Sequence, residues 1–136
     1  MADPDRSGFQ VLQPDERCPC RSGQPYADCC GPLHAGAPAP TAVQLMRSRY
    51  TAYVVGDAAY LLATWHPSTR PASLELDPHL TWRSLEIIGT ERGGPLDREG
   101  VVEFAARYTA DGERDVLHET SRFVRGDRWQ YLDGTG

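Results

Sequence analysis

All four cysteines of the chain fall within one short segment, at Cys18, Cys20, Cys29 and Cys30. Neighbouring cysteines such as Cys29 and Cys30 close a disulfide only as a strained ring, and a Cys-x-Cys pair is nearly as awkward. Cross-pairing between the two halves is sterically open, but it needs an oxidising compartment. The chain opens Met-Ala-Asp-Pro-Asp-Arg, without the positive start and apolar stretch of a secretory signal. No apolar run approaches the ~18 residues that span a bilayer. The expectation is a cytoplasmic protein with no membrane partner and reduced thiols, and in that setting clustered cysteines favour a metal.

Zinc takes four soft ligands at ~2.3 Å in a tetrahedron, and the residues between the cysteines suit that geometry. Pro19 fixes the bend between the first two thiols. Ser22 and Gly23 turn the chain back, and Pro25 suits the first position of a helical turn that Gly31 and Pro32 would stop. Cys29 and Cys30 would then face the returning Cys18 and Cys20 from the last turn. So short a peptide has no core, and metal binding of ~10–16 kcal/mol would be its folding energy. A redox or metal-transfer thiol cluster is the competing reading. His34 reads either as a spare ligand or as a solvated loop residue.

The pattern Cys-x-Cys-x(8)-Cys-Cys, with Ser-Gly after the second cysteine and Tyr26 ahead of the last pair, resembles the SEC-C motif. That knuckle is known from the C-terminus of the translocation motor SecA, where it binds zinc and contacts the chaperone SecB. The resemblance implies zinc on Cys18, Cys20, Cys29 and Cys30 and a protein partner docked on the knuckle. Partner-binding knuckles carry several lysines between the cysteine pairs, whereas this one has Arg17 and Arg21 alongside Asp15, Glu16 and Asp28.

The chain contains no lysine, so all fourteen basic residues are arginine. Schiff-base chemistry and a phosphate-binding loop of the usual kind are excluded on that ground. A net charge of -5 gives no sign of a nucleic-acid partner. Gly-x-Ser-x-Gly, nucleotide-binding glycine patterns and His-Glu-x-x-His are all missing. With every cysteine assigned to metal, no thiol nucleophile remains.

Ala-Gly-Ala-Pro-Ala-Pro at 35–40 reads as a semi-stiff linker, dividing residues 1–36, with the knuckle, from an α+β domain at 37–136. Thr41 and Gln44 form a capping box at the start of a helix. Val43, Met46, Tyr50 and Tyr53 give that helix one buried face. Gly56 ends it, and Asp57 caps a second helix running through Trp65, closed by His66-Pro67. Period-two patterns then predict strands near 82–90, 100–109, 115–125 and 128–132. Asp111-Gly112 and Gly126-Asp127 mark the hairpins between them. The Arg125-Gly126-Asp127 tripeptide is therefore a turn and not an adhesion signal.

Helix, helix and then long antiparallel strands resembles the nuclear transport factor 2-like cone, with helices packed on a bent sheet. The strings Leu-Met-Arg-Ser-Arg-Tyr-Thr-Ala-Tyr (45–53), Thr-Trp-His-Pro-Ser-Thr-Arg (64–70) and Leu-His-Glu-Thr-Ser-Arg-Phe (117–123) resemble the bacterial YchJ family. That resemblance runs from Cys18 to Gly134 and implies a SEC-C knuckle in front of the cone. Some relatives carry a second knuckle at the C-terminus, a pattern not repeated here. The family has no assigned activity, so the resemblance implies an architecture and not a reaction. Cones of this kind often dimerise through the sheet, so a homodimer is a further expectation.

In the third strand, Leu117, Ser121 and Phe123 facing the core would bring Glu119 inward, and the opposite register would bring His118. A buried Glu119 needs a partner, and Arg49 or Arg47 from the first helix could supply it. Arg49, Tyr50, His66, His118 and Glu119 are thus the candidates for a ligand anchor or general base in the cone. Trp82, Trp129, Tyr131 and Tyr108 could line such a pocket or simply fill the core. No catalytic constellation emerges. The leading expectation is a zinc-binding, non-catalytic docking module on a cone-shaped scaffold. The alternative is a protein that binds or transforms a small molecule in the cone.

Overall fold

In the computed structural model, which describes residues 9–136, the period-two segments become β1 (Leu80–Arg92), β2 (Glu99–Ala110), β3 (Glu113–Arg125) and β4 (Trp129–Thr135). The leading segment 1–6, read above for a secretory signal, lies outside the described residues. The strands pair antiparallel in sequential order. Asp111 and Gly112 take φ of 52° and 82°, the two left-handed conformations that a tight hairpin between twisted strands requires. Register steps interrupt β1 between Trp82 and Ser84 and between Ile87 and Gly89, and a third separates Arg122 from Phe123 opposite β4. Such bulges bend a strand and strengthen its twist, which suits a sheet that must curve under a helix.

The helices are α1 (Cys30–His34), α2 (Ala42–Val55) and α3 (Ala58–Ala63). At the start of α2 the Thr41 hydroxyl accepts the Gln44 amide at 3.2 Å and donates to the Gln44 side-chain carbonyl at 3.0 Å. Only the first half of the expected capping box forms, because Gln44 bonds the hydroxyl instead of the backbone amide. Gly56 closes α2 at φ 79°, with the Phe9 ring standing where a side chain would go. Asp57 then accepts the Tyr60 amide at 3.0 Å and starts α3. That helix stops at Ala63, short of Trp65, because the next residues bond to β4 instead. The Tyr131 amide donates to the Thr64 carbonyl and the His66 amide to the Tyr131 carbonyl, each at 2.8 Å. The bridge also covers an edge strand that would otherwise present open backbone groups.

The helical layer packs on one face of the sheet, with α2 against β1, β2 and β4. Val102, Phe104 and Ala106 of β2 point into this core with Leu85, Phe123 and Trp129. Fully burying an apolar side chain of Phe123's or Val102's size stabilises the fold by roughly 1.5–3 kcal/mol. The alternation along β2 is imperfect, since Ala105 on the opposite face is also covered, between its cross-strand partners Glu86 and His118.

The single buried stripe expected on α2 is too narrow a description. Met46 and Tyr50 are buried as anticipated, but so are Ser48, Arg49, Thr51 and Ala52 around the rest of the helix. The reason is that α2 is covered twice, by the sheet on one side and by the cysteine segment on the other.

Candidate functional site

The knuckle is built by local turns. The Cys18 amide donates to the Gln24 carbonyl at 2.9 Å, and the Arg21 amide returns to the Cys18 carbonyl at 3.1 Å. Arg21 and Gly23 both adopt positive φ, 67° and 92°, which reverses the chain within a few residues. A short 3-10 turn, Tyr26–Asp28, follows Pro25. It ends before the last cysteine pair, and Cys30 opens α1 instead. Gly31 and Pro32 therefore do not stop a helix here; they sit in the first turn of one. Proline is tolerated there because its missing N–H would have had no intrahelical partner.

Folded this way, the four Sγ atoms lie within 4.8 Å of one another. Cys20 to Cys29 is 3.5 Å and Cys29 to Cys30 is 3.9 Å. A tetrahedron with metal–sulfur bonds of ~2.3 Å has edges of roughly 3.8 Å, so the donor set fits one ion. Cys18, Cys20 and Cys30 are buried and Cys29 is partly so, a closed site without an open coordination position. The Ser22 hydroxyl stands 3.0 Å from Cys29 Sγ, and the Thr51 hydroxyl 3.7 Å from Cys18 Sγ. Both can donate to sulfur and spread the charge of a four-thiolate site.

The thiols are in conflict over protons. Hydrogen bonds from Cys18 and Cys30 hold Cys20 far below the usual thiol range, while bonding with Cys18 and Cys20 pushes Cys30 far above it. Burial pushes Cys29 up to about 11. A divalent cation bound there would resolve the conflict by taking all four as thiolates.

The linker reading of residues 35–40 anticipates a knuckle held apart from the domain. The structure instead merges the two. Cys18, Cys20 and Cys30 belong to the same apolar core as Leu45, Met46 and Phe104. Arg47 Nη1 donates to the Cys20 carbonyl at 2.6 Å, so it faces the knuckle and not Glu119. His34 is neither a spare ligand nor a solvated residue. Its Nε2 is 2.8 Å from the Ser48 carbonyl and its Nδ1 2.8 Å from the Tyr26 hydroxyl. A carbonyl only accepts, so Nε2 carries a proton and donates to Ser48. The ring thereby pins the turn before the last cysteine pair to the middle of α2.

On the other side of α2, between helix and sheet, lies a cavity of 170 Å³ with walls mainly of aromatic rings. Arg49, 4% exposed, lies at this cavity. Its Nη1 donates to the Leu61 carbonyl at 2.8 Å and to Thr64 Oγ1 at 2.6 Å. Its guanidinium carbon stands 4.5 Å from the Tyr131 ring centroid and 5.2 Å from that of Trp65, a double cation–π contact. Burial pulls Arg49 down to about 10, which still leaves it cationic at neutral pH. Glu119 faces the same cavity without pairing directly, its Oε2 accepting from Ser121 at 2.6 Å and Tyr131 at 3.3 Å. Burial, with the Glu119 charge adding to it, raises the Tyr131 phenol above its ordinary range. Glycine at 134 leaves the room that the Glu119 carboxylate occupies, since a Cβ there would require the carboxylate to shift.

Of the sequence candidates, Arg49, Tyr50 and Glu119 line one cavity. The Tyr50 ring forms wall, while the charges acting on its hydroxyl are those of Arg21, Cys20 and Cys18 on the knuckle side. His118 is a correction: with Glu119 inward, the two-residue period turns it to the outer face, where it meets Glu103 at 2.7 Å. His66 is another. It follows Trp65 out of the cavity, and its Nδ1 accepts from the Ser68 amide at 3.1 Å in an exposed turn. Trp82 and Tyr131 line the cavity, whereas Trp129 belongs to the core beside it. Sequence reasoning missed Trp65 and Tyr53 as wall residues. Tyr53 was legible as the i+4 neighbour of Arg49, on the same helix face. Trp65 was not, since its position depends on the bridge to β4.

Among the described residues, no helix is long and apolar enough to cross a membrane. The segment 16–32 matches the SEC-C motif, and residues 41–134 match the YchJ middle NTF2-like domain. A UPF0225 protein of Streptomyces coelicolor is 52% identical over 123 residues, covering 89% of this chain and 96% of its own length. One from Chromobacterium violaceum is also 52% identical, covering 86% of this chain and 90% of its own. The solution structure of a SEC-C motif containing protein from Rhodopseudomonas palustris superposes with a TM-score of 0.76 at 33% identity, over 88% of this chain and 98% of that one. A crystal structure of a SEC-C motif containing protein from Psychrobacter arcticus gives 0.73 at 28% identity, over 88% and 82%. A SEC-C cysteine knuckle joined to a YchJ-type NTF2-like cone places this chain in the YchJ family.

Proposed function

We propose that the chain is a zinc protein whose metal holds the knuckle on α2 and whose cone cavity is the working site, binding a small molecule. The reading rests on two charged side chains, the buried Arg49 and the half-buried Glu119, that line one largely aromatic cavity. Among the described residues Arg49 hydrogen-bonds only through Nη1 and Glu119 only through Oε2, and the two do not pair with each other. Polar groups buried purely for packing are expected to satisfy one another, and each one left over costs about 1–3 kcal/mol. A bound molecule accounts for the surplus. Four thiol donors within 4.8 Å of one another in a closed site support the choice of zinc.

Native mass spectrometry of untagged protein, set beside the same sample denatured, tests both halves. One zinc per chain plus an organic mass that is lost on denaturation is the expected result. A zinc-only species, with no fragment-library compound perturbing the tryptophan fluorescence, would sink the pocket half.

Docking on the knuckle is the second reading, supported by one observation. The thiols point inward, so Arg17, Arg21 and Asp28 are exposed and free of any role in holding the metal. Reversing charge at Arg17 and Arg21 together should leave zinc content unchanged and abolish capture of whatever protein co-purifies with the full chain. Undiminished capture by the reversed chain would rule out docking on this surface.

A further inference from the structure

Resting on the reading that the cone cavity is the working site, we infer that it takes a neutral planar molecule of one or two rings whose edge carries a hydrogen-bond donor beside an acceptor, as in an aromatic amide or lactam.

Size sets the first limit. At 170 Å³ the cavity is slightly larger than the roughly 150 Å³ that admits benzene in an engineered core. Shape sets the second. Tyr53, Trp65, Trp82, Phe104 and Tyr131 supply flat apolar walls, and the rings of Tyr53 and Trp82 lie 5.9 Å apart by centroid. Flat walls favour a flat occupant, because stacked or edge-on aromatic contacts add to area burial.

Charge and hydrogen bonding set the chemistry. The cavity presents one guanidinium and one carboxylate, which sum to zero. An anionic ligand would gain Arg49 and meet repulsion from Glu119; a cationic one would gain Glu119 and meet repulsion from Arg49. A neutral ligand escapes both penalties if it can serve each group. Arg49 spends Nη1 on Leu61 and Thr64, which leaves the hydrogens of Nε and Nη2. Glu119 takes both its bonds on Oε2, which leaves Oε1. The occupant must therefore accept from the guanidinium and donate to the carboxylate, and an amide edge does both with adjacent atoms.

Benzamide, benzoate and benzamidine form a nearly isosteric neutral, anionic and cationic series for the test. The zinc-loaded full chain would be titrated with each, following the indole N–H resonances of Trp65 and Trp82. Benzamide is expected to bind about tenfold more tightly than either charged probe. In Glu119→Gln the carboxylate is gone and Arg49 remains, so benzoate should overtake benzamide. A wild-type preference for benzoate or benzamidine overturns the inference about ligand class while leaving the cavity as a binding site. An unchanged ranking in Glu119→Gln overturns the role given to Glu119. If none of the three probes moves either resonance up to its solubility limit, the reading of the cavity as a working site fails as well.

Discussion

Cys30→Ser is expected to unfold the whole domain and not only the knuckle. The Cys30 side chain is 1% exposed and shares a core with Leu45 and Met46 of α2. Losing one thiolate releases the metal, and structural zinc sites contribute on the order of 10 kcal/mol to the segments they fold. Even a loss of about 4 kcal/mol would be most of a domain stability at the low end of the usual 5–15 kcal/mol. The outer side of α2, with Ser48 and Thr51 fully buried beneath the cysteine segment, would then be open to water. Urea unfolding of the variant, or of wild type with a strong chelator, measures the effect. Amide protection in β2 and β3 that survives metal removal would show the knuckle to be separable after all.

Arg49→Met carries the second-largest expected effect, a loss of about 3 kcal/mol. The substitution keeps most of the volume, so the loss is electrostatic. It leaves the Leu61 carbonyl at the end of α3 with only the longer 3.3 Å bond from the Thr64 hydroxyl, removes the cation held against Trp65 and Tyr131, and leaves Glu119 facing the cavity without a counter-charge. Glu119→Gln added to Arg49→Met should recover part of the loss, because the stranded carboxylate is then neutral. A double-mutant cycle in urea reads the coupling between the two. A single Arg49→Met variant within about 0.5 kcal/mol of wild type would mean that the guanidinium is only filler.

The sequence made the elements and their order legible because their signals are local. Gly56 and Asp57 each act within one turn, and Asp111-Gly112 needs only its own backbone conformation. The cysteine spacing likewise revealed the donor set, since the four ligands come from one short segment. Features that depend on packing between distant segments were hidden. His34 reads as a spare ligand or a solvated residue until α2 is brought against it, and the burial of Ser48 and Thr51 likewise depends on what packs on the far side of that helix. In β3 the choice between His118 and Glu119 stayed open, because Leu117, Ser121 and Phe123 only suggest a register. Pairing decided it: Glu119 stands opposite Phe104, and Ser121 opposite Val102, both core residues.

The close approach of Glu119 to Gly134 also constrains how such sequences can drift. The two positions lie on neighbouring strands and share one small volume, which the carboxylate fills and the glycine vacates. A side chain acquired at 134 would require the Glu119 carboxylate to swing out of that volume, and so to change its position relative to Arg49. Paired change at 119 and 134 across relatives would mark the branches in which the cavity turned to a differently charged occupant.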